Sequence, residues 1–230
     1  IGAGLLGIAA GAGGSFLFLR KRALVSDAVA HATLPGVGLA FLVMVAFGGD
    51  GRNLPGLLAG SAASAAAGLY LVDWITRGTR LAEDAAIGAV LSVFFGAGIV
   101  LLTVIQTLDT GRQAGLEGFL LGSTAGMLFQ DAVVIAAGGA LTVAAIVLLR
   151  RPMTAVAFDP EYAASTGTNV RAIDLAMMAL VMAVTVIGLK IVGLILIVAL
   201  LIIPAVTARF WTDRTDRLVL YAGLFGGASG

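Results

Sequence analysis

Cysteine is absent from the 230 residues, which excludes disulfides, thiolate metal sites and thiol chemistry. Charge is scarce as well. Asp, Glu, Lys and Arg make up 12% of the chain, against roughly 25% in a soluble domain. The formal net charge of +1 is too small to point to nucleic acid. The only lysines are Lys21 and Lys190, and neither closes a G-x-x-x-x-G-K-[ST] phosphate loop. An H-E-x-x-H pair, a nucleophile elbow and paired intramembrane carboxylates are also missing. The chain is therefore not expected to hydrolyse ATP or peptides by itself. One histidine, His31, is left for imidazole chemistry.

Apolar residues fill the space that charge leaves. They make up 60% of the sequence, and the mean hydropathy is +1.06. Several apolar runs approach the ~20 residues that a spanning helix needs. They fall at 1–19, 28–47, 55–75, 85–106, 132–149, 172–189, 192–211 and from 218 onward, about eight membrane segments joined by short polar connections. The expected architecture is all-α, a polytopic membrane helical bundle. No soluble domain of useful size fits between the segments, so residues 1–230 read as a single transmembrane domain. Both ends lie inside apolar runs and read as truncations of a longer protein. The first run is not a signal peptide, because its basic cluster Arg20-Lys21-Arg22 follows it instead of preceding it.

Basic residues orient the segments. With Arg20-Lys21-Arg22 inside and strict alternation, the inner connections also hold Arg77, Arg80, Arg150, Arg151, Arg171, Arg209, Arg214 and Arg217. The outer connections hold only Arg52, Arg112 and Lys190. Eleven against three is a positive-inside bias. Residues 107–131 then lie outside, yet "LEGFLLGSTAGMLF" is too apolar for a solvated loop and too short to span. It reads as a re-entrant or interfacial helix covered by protein. Gly118, Gly122 and Gly126, and likewise Gly56, Gly60, Ser64 and Gly68, recur every four residues and suggest stripes for close helix contact.

Three stretches carry chemistry or mechanics. In "SDAVAHATLPG" (26–36), Asp27 and His31 stand four apart, on one helix face, where both can reach one cation. Carboxylate plus imidazole without sulfur suits Mn, Fe or Zn. Two side chains are too few for a tight closed site, but a carrier must also release its cargo. Pro35 cannot donate to the His31 carbonyl and leaves it free. A plainer reading stays open: Ser26 caps a helix, Asp27 sits at its positive end, and His31 bonds a neighbouring helix.

In "FDPEYAASTG" (158–167), Asp159 suits a cap, Pro160 the first helical position, Glu161 the positive end, and Gly167 a left-handed stop. A helix of about two turns is expected there, between "LRR" and the next span, either as a structural turn or as a docking surface. In the last stretch, 192–211, Pro204 interrupts the inner half of a span and frees the Leu200 carbonyl.

Together these stretches resemble the permease subunits of ABC importers for manganese, zinc and iron. "SDAVAHATLPG" matches a GDALSHAVLPG-like segment, "FDPEYA" a cytoplasmic FDPEFA-like helix, and Val192–Ala208 a VGxxLxxALLxxPAxxA span. "EDAAIGAVLSVFFGAGIVL" (83–101) is also similar, and the likeness runs in order over nearly the whole chain. It implies type II importer topology in a bacterial cytoplasmic (inner) membrane, with two permease subunits around a central path. Two cytoplasmic ATPases and an extracytoplasmic metal-binding lipoprotein would complete the assembly, the second permease being identical or homologous. It further implies that Asp27 and His31 are pathway metal ligands. Phe158, Asp159, Pro160, Glu161, Tyr162 and Gly167 would belong to the coupling helix that docks in an ATPase groove. The metal is then cargo, with no permanently bound cofactor. Three rivals remain at this point: a related permease for a siderophore or corrinoid, an ion-coupled secondary transporter acting alone, and a purely structural membrane subunit, which the capped 158–167 helix disfavours.

Overall fold

A computed structural model describes residues 2–49, 51, 53–108, 122 and 129–230. Every element among them is helical: α1 (Gly2–Leu19), α2 (Ala23–Ala46), α3 (Leu54–Gly78), α4 (Glu83–Thr107), α5 (Phe129–Phe158), α6 (Pro160–Ser165), α7 (Val170–Arg209) and α8 (Thr215–Ser229). Among the described residues, seven helical stretches are long and apolar enough to cross a membrane: α1 to α4, Val133–Phe158 of α5, and the two arms of α7, Val170–Leu189 and Val192–Arg209. The eighth apolar run of the sequence forms α8, which has 15 residues. The outer segment read as re-entrant falls on residues outside those described, apart from Gly122.

The two arms of α7 meet at Gly193, whose φ of 76° and ψ of 175° are not helical. Gly188 lies against the Ile197 side chain, although residues nine apart on a straight helix are about 13.5 Å apart. The arms therefore fold back on one another, and both run along α1. Leu6 of α1 approaches Gly188, Gly14 abuts the Leu201 backbone, and Arg20 reaches Asp174 near the start of the first arm. Only glycine adopts the Gly193 conformation without strain. Gly193→Ala is expected to destabilise the bundle by about 1–3 kcal/mol, read as an earlier thermal unfolding transition in detergent. An unchanged transition would show that the corner tolerates a side chain.

Two sub-bundles share α7. On one side α2 packs against α3 and α4; on the other α1 packs against α5 and α8. A helix that is apolar all round has to be enclosed, and α1 is: Leu6, Ala9, Ala10 and Phe16 are fully or nearly fully buried. The four-residue stripe on α3 meets α2 along its length. Gly56 faces the Met44 sulfur, Gly60 faces Ala40 and Gly36, Ser64 faces Gly36, and Gly68 faces Ala32. The small residues serve contact between helices, because each leaves room for the opposing backbone.

Two boundaries differ from the sequence reading. Arg150 and Arg151 do not stand in a connection; α5 runs through them and Pro152 to Phe158. α2 begins at Ala23 with Arg22 at its cap position, so Ser26 is not a cap. The Ser26 hydroxyl instead donates to the Ala23 carbonyl at 2.6 Å. The helix starts early because a turn with Lys21 at φ 57° reverses the chain directly after α1.

One end of the bundle gathers arginine and carboxylate. Arg20 donates to both Asp174 oxygens at 2.8 and 3.0 Å and to the Val156 carbonyl at 3.0 Å. Arg22 bonds Asp174 at 3.1 Å and Glu83 at 3.0 Å. The ends of α1, α2, α4, α5 and α7 at this side of the bundle are thereby tied together.

Candidate functional site

Asp27 is the fifth residue of α2 and His31 the ninth, so they rise about 6 and 12 Å above its first residue. The helix stacks them one turn apart, with Asp27 Oδ1 3.4 Å from His31 Nε2. The carboxylate is 39% exposed and the imidazole 18%. Two ligand atoms about 2.1 Å from a shared ion lie about 3.0 Å apart in octahedral and about 3.4 Å apart in tetrahedral geometry. The separation of the pair falls within the range of two ligands to one ion. Among the described residues no group of three or more His, Asp or Glu converges, so one copy offers two side-chain ligands at this place.

Phe95 of α4 fixes the imidazole. Its ring meets His31 edge to face, with centroids 4.7 Å apart and planes at 76°. His31 Nδ1 is buried and has no hydrogen-bond partner among the described residues. The expected bond from His31 to a neighbouring helix is therefore replaced by an aromatic contact. No sequence spacing pointed to Phe95, because it sits inside an apolar run like any core residue.

Pro35 lies one turn beyond His31, buried within α2, and the helix continues past it. Leu39 and Val43 extend the same four-residue line and are about half exposed. This half of the line opens into an apolar groove of about 560 Å³, walled by Ala63 and Ala67 of α3 and Val93 and Ala97 of α4. The polar pair therefore sits at one end of an exposed apolar track on α2. Pro204 lies buried inside the second arm of α7, where helical dihedrals run through it.

The 158–167 stretch folds as its residue types require. Phe158 ends α5, and Asp159 is the single residue between α5 and α6. The Asp159 carboxylate accepts from the Tyr162 amide at 2.9 Å, and Pro160 and Glu161 occupy the first turn. Gly167, at φ 83°, closes the other end. The Gly167 amide bonds the Ala164 carbonyl and the Thr168 amide bonds the Ala163 carbonyl, both at 3.0 Å. These two bonds make a Schellman stop. Ala163 is fully buried against Met153, Val156 and Met177. Phe158 and Tyr162 stay 63% and 62% exposed. A six-residue helix anchored by one alanine thus presents Tyr162 outward, beside the exposed Phe158 at the end of α5.

Comparison with known proteins agrees with these features. The model of the ABC 3 transport family matches residues 1–230. The chain belongs to the ABC 3 transport family. As a member, it is a transport component that crosses the membrane several times. It is 44% identical over 98% of its length to the manganese transport system membrane protein MntC of Bacillus subtilis (strain 168), and spans 51% of that protein. It is 37% identical over its whole length to the zinc transport system membrane protein TroC of Treponema pallidum (strain Nichols), and spans 76% of it. Among solved structures, PsaBC from Streptococcus pneumoniae in complex with Fab matches with a TM-score of 0.83 at 29% identity, covering 99% of this chain and 77% of that one.

Proposed function

We propose that this ABC 3 family chain is the membrane permease subunit of an ATP-driven importer of a divalent transition metal, manganese, zinc or iron. It would work in the cytoplasmic membrane with its arginine-rich end inside. The observation that carries the metal assignment is the 3.4 Å Asp27–His31 pair on one face of α2. The names of the relatives, manganese for MntC and zinc for TroC, agree with a carboxylate and imidazole donor set.

An exposed half-site of two ligands calls for a second one. A permease copy facing this one across the α2 track would raise the ligand count to four, near a twofold or pseudo-twofold axis. A metal held by four side chains from two subunits is released when the subunits part, as transport requires. An extracytoplasmic metal-binding lipoprotein would deliver the ion at the outer mouth. Cytoplasmic ATPase subunits would dock on α6 and the adjoining end of α5, where the exposed Tyr162 and Phe158 suit an apolar groove.

Uptake into vesicles holding the permease, its ATPase and its binding protein tests the assignment. Free Mn²⁺, Zn²⁺ and chelated iron are supplied in turn. ATP-dependent uptake of a free ion is expected. Uptake of the chelate alone, or of any ion without the ATPase, would overturn it in favour of a chelate permease or a secondary transporter. Glu161→Lys is expected to weaken co-purification of the ATPase by about tenfold, the size of a single good interfacial contact. Unchanged co-purification would remove α6 from that interface.

A further inference from the structure

We propose that Arg20, Arg22, Glu83 and Asp174 form the mechanical link between α6 and the helix that carries Asp27 and His31. They are positioning residues for transport, and the proposal rests on the importer reading above. The connection is continuous. Arg20 holds the Val156 carbonyl at 3.0 Å, three residues before the Asp159 cap of α6. The same guanidinium holds Asp174, Asp174 holds Arg22 at 3.1 Å, and Arg22 holds Glu83 at 3.0 Å. Arg22 is also the cap residue of α2, five residues before Asp27. A displacement of α6 therefore reaches α2 and α4 through charged contacts and does not have to travel through apolar packing.

The site also has room and a spare partner for a second arrangement. A cavity of about 200 Å³ adjoins the network and is lined by Arg22, Glu83, Asp174 and Arg171. Arg171 makes no ion pair among the described residues. Asp174 and Glu83 can thus exchange an arginine for Arg171 without either carboxylate losing all charge pairing. The four linked side chains are 17–30% exposed, enough to hold charge and too little to leave it unpaired at low cost. Such a cluster has discrete pairings instead of a continuum, which is what a transmitted switch needs.

The experiment compares Asp174→Asn and Glu83→Gln with wild type in the assembled transporter, measuring Mn²⁺ uptake and ATP hydrolysis on the same vesicles. Both variants keep side-chain shape and remove one charge. The ratio of metal moved to ATP hydrolysed is expected to fall by about tenfold, within the usual range for a coupling interaction. The Mn²⁺ concentration for half-maximal uptake should stay unchanged. Glu83→Asp should recover part of the ratio that Glu83→Gln loses. A ratio equal to wild type in both variants would overturn the link, whether or not uptake and hydrolysis have dropped together. If Asp174→Asn does not assemble, the Glu83 pair decides by the same ratio. Absence of ATP-driven uptake in wild type would instead count against the importer reading.

Discussion

Asp27→Ala is expected to abolish metal uptake by the assembled transporter while leaving its assembly intact. With one of the two side chains that converge among the described residues gone, each permease would offer His31 alone, and a facing pair would fall from four ligands to two. Loss of an outer-sphere partner already costs metal sites roughly 10–100-fold, and loss of a direct ligand should exceed that. Asp27 is 39% exposed and bonds no neighbouring helix among the described residues, so its removal should not disturb folding. Asp27→Asn separates charge from shape, since the amide keeps the volume and one acceptor oxygen but not the negative charge. Uptake of ⁵⁴Mn²⁺ and co-purification of the ATPase are the two readouts. Full uptake by Asp27→Ala would remove the residue from the pathway.

Gly36→Ala is expected to give the largest loss of stability among single methyl additions on α2. A Cβ at Gly36 would land on the Gly60 carbonyl and, at 2.6 Å, on the Ser64 side chain. The first obstacle is backbone, so no rotamer change can relieve it. On the adjoining face Gly98 of α4 would meet the Leu34 Cβ at 2.5 Å and the Pro35 ring at 3.2 Å. α2 is thus clamped by α3 and α4 within a single turn and cannot retreat. Overpacking of this kind costs about 1–3 kcal/mol, and a backbone obstacle places this case at the upper end. Thermal unfolding in detergent is the measurement, and Gly88→Ala on α4, where open space surrounds the Cβ position, is the matched control. Equal transitions for the two variants would mean that α2 and α3 are not in close contact.

Local chemistry was legible where neighbours in sequence complete it. The Asp159 cap and the Gly167 stop act within one short helix, so residue type and spacing were enough to read both. The α3 stripe was equally legible, because glycine every four residues makes one flat face. Arg150 and Arg151 misled, since charge suggests a connection although α5 continues through both to Phe158. Ser26 misled for a related reason: its hydroxyl finds a carbonyl one turn back and leaves the amides ahead of it alone.

Sequence alone determined the membrane class, the orientation bias, the Asp27–His31 pair and the form of α6. Each depends on composition or on residues within two helical turns. Tertiary structure decided what those features face. It turned Phe95 onto His31, folded α7 back at Gly193, and brought Arg20, Arg22, Glu83 and Asp174 together from three separate stretches of chain. Ion pairs between residues up to 154 positions apart have no periodicity to betray them, because their geometry exists only once the helices have packed.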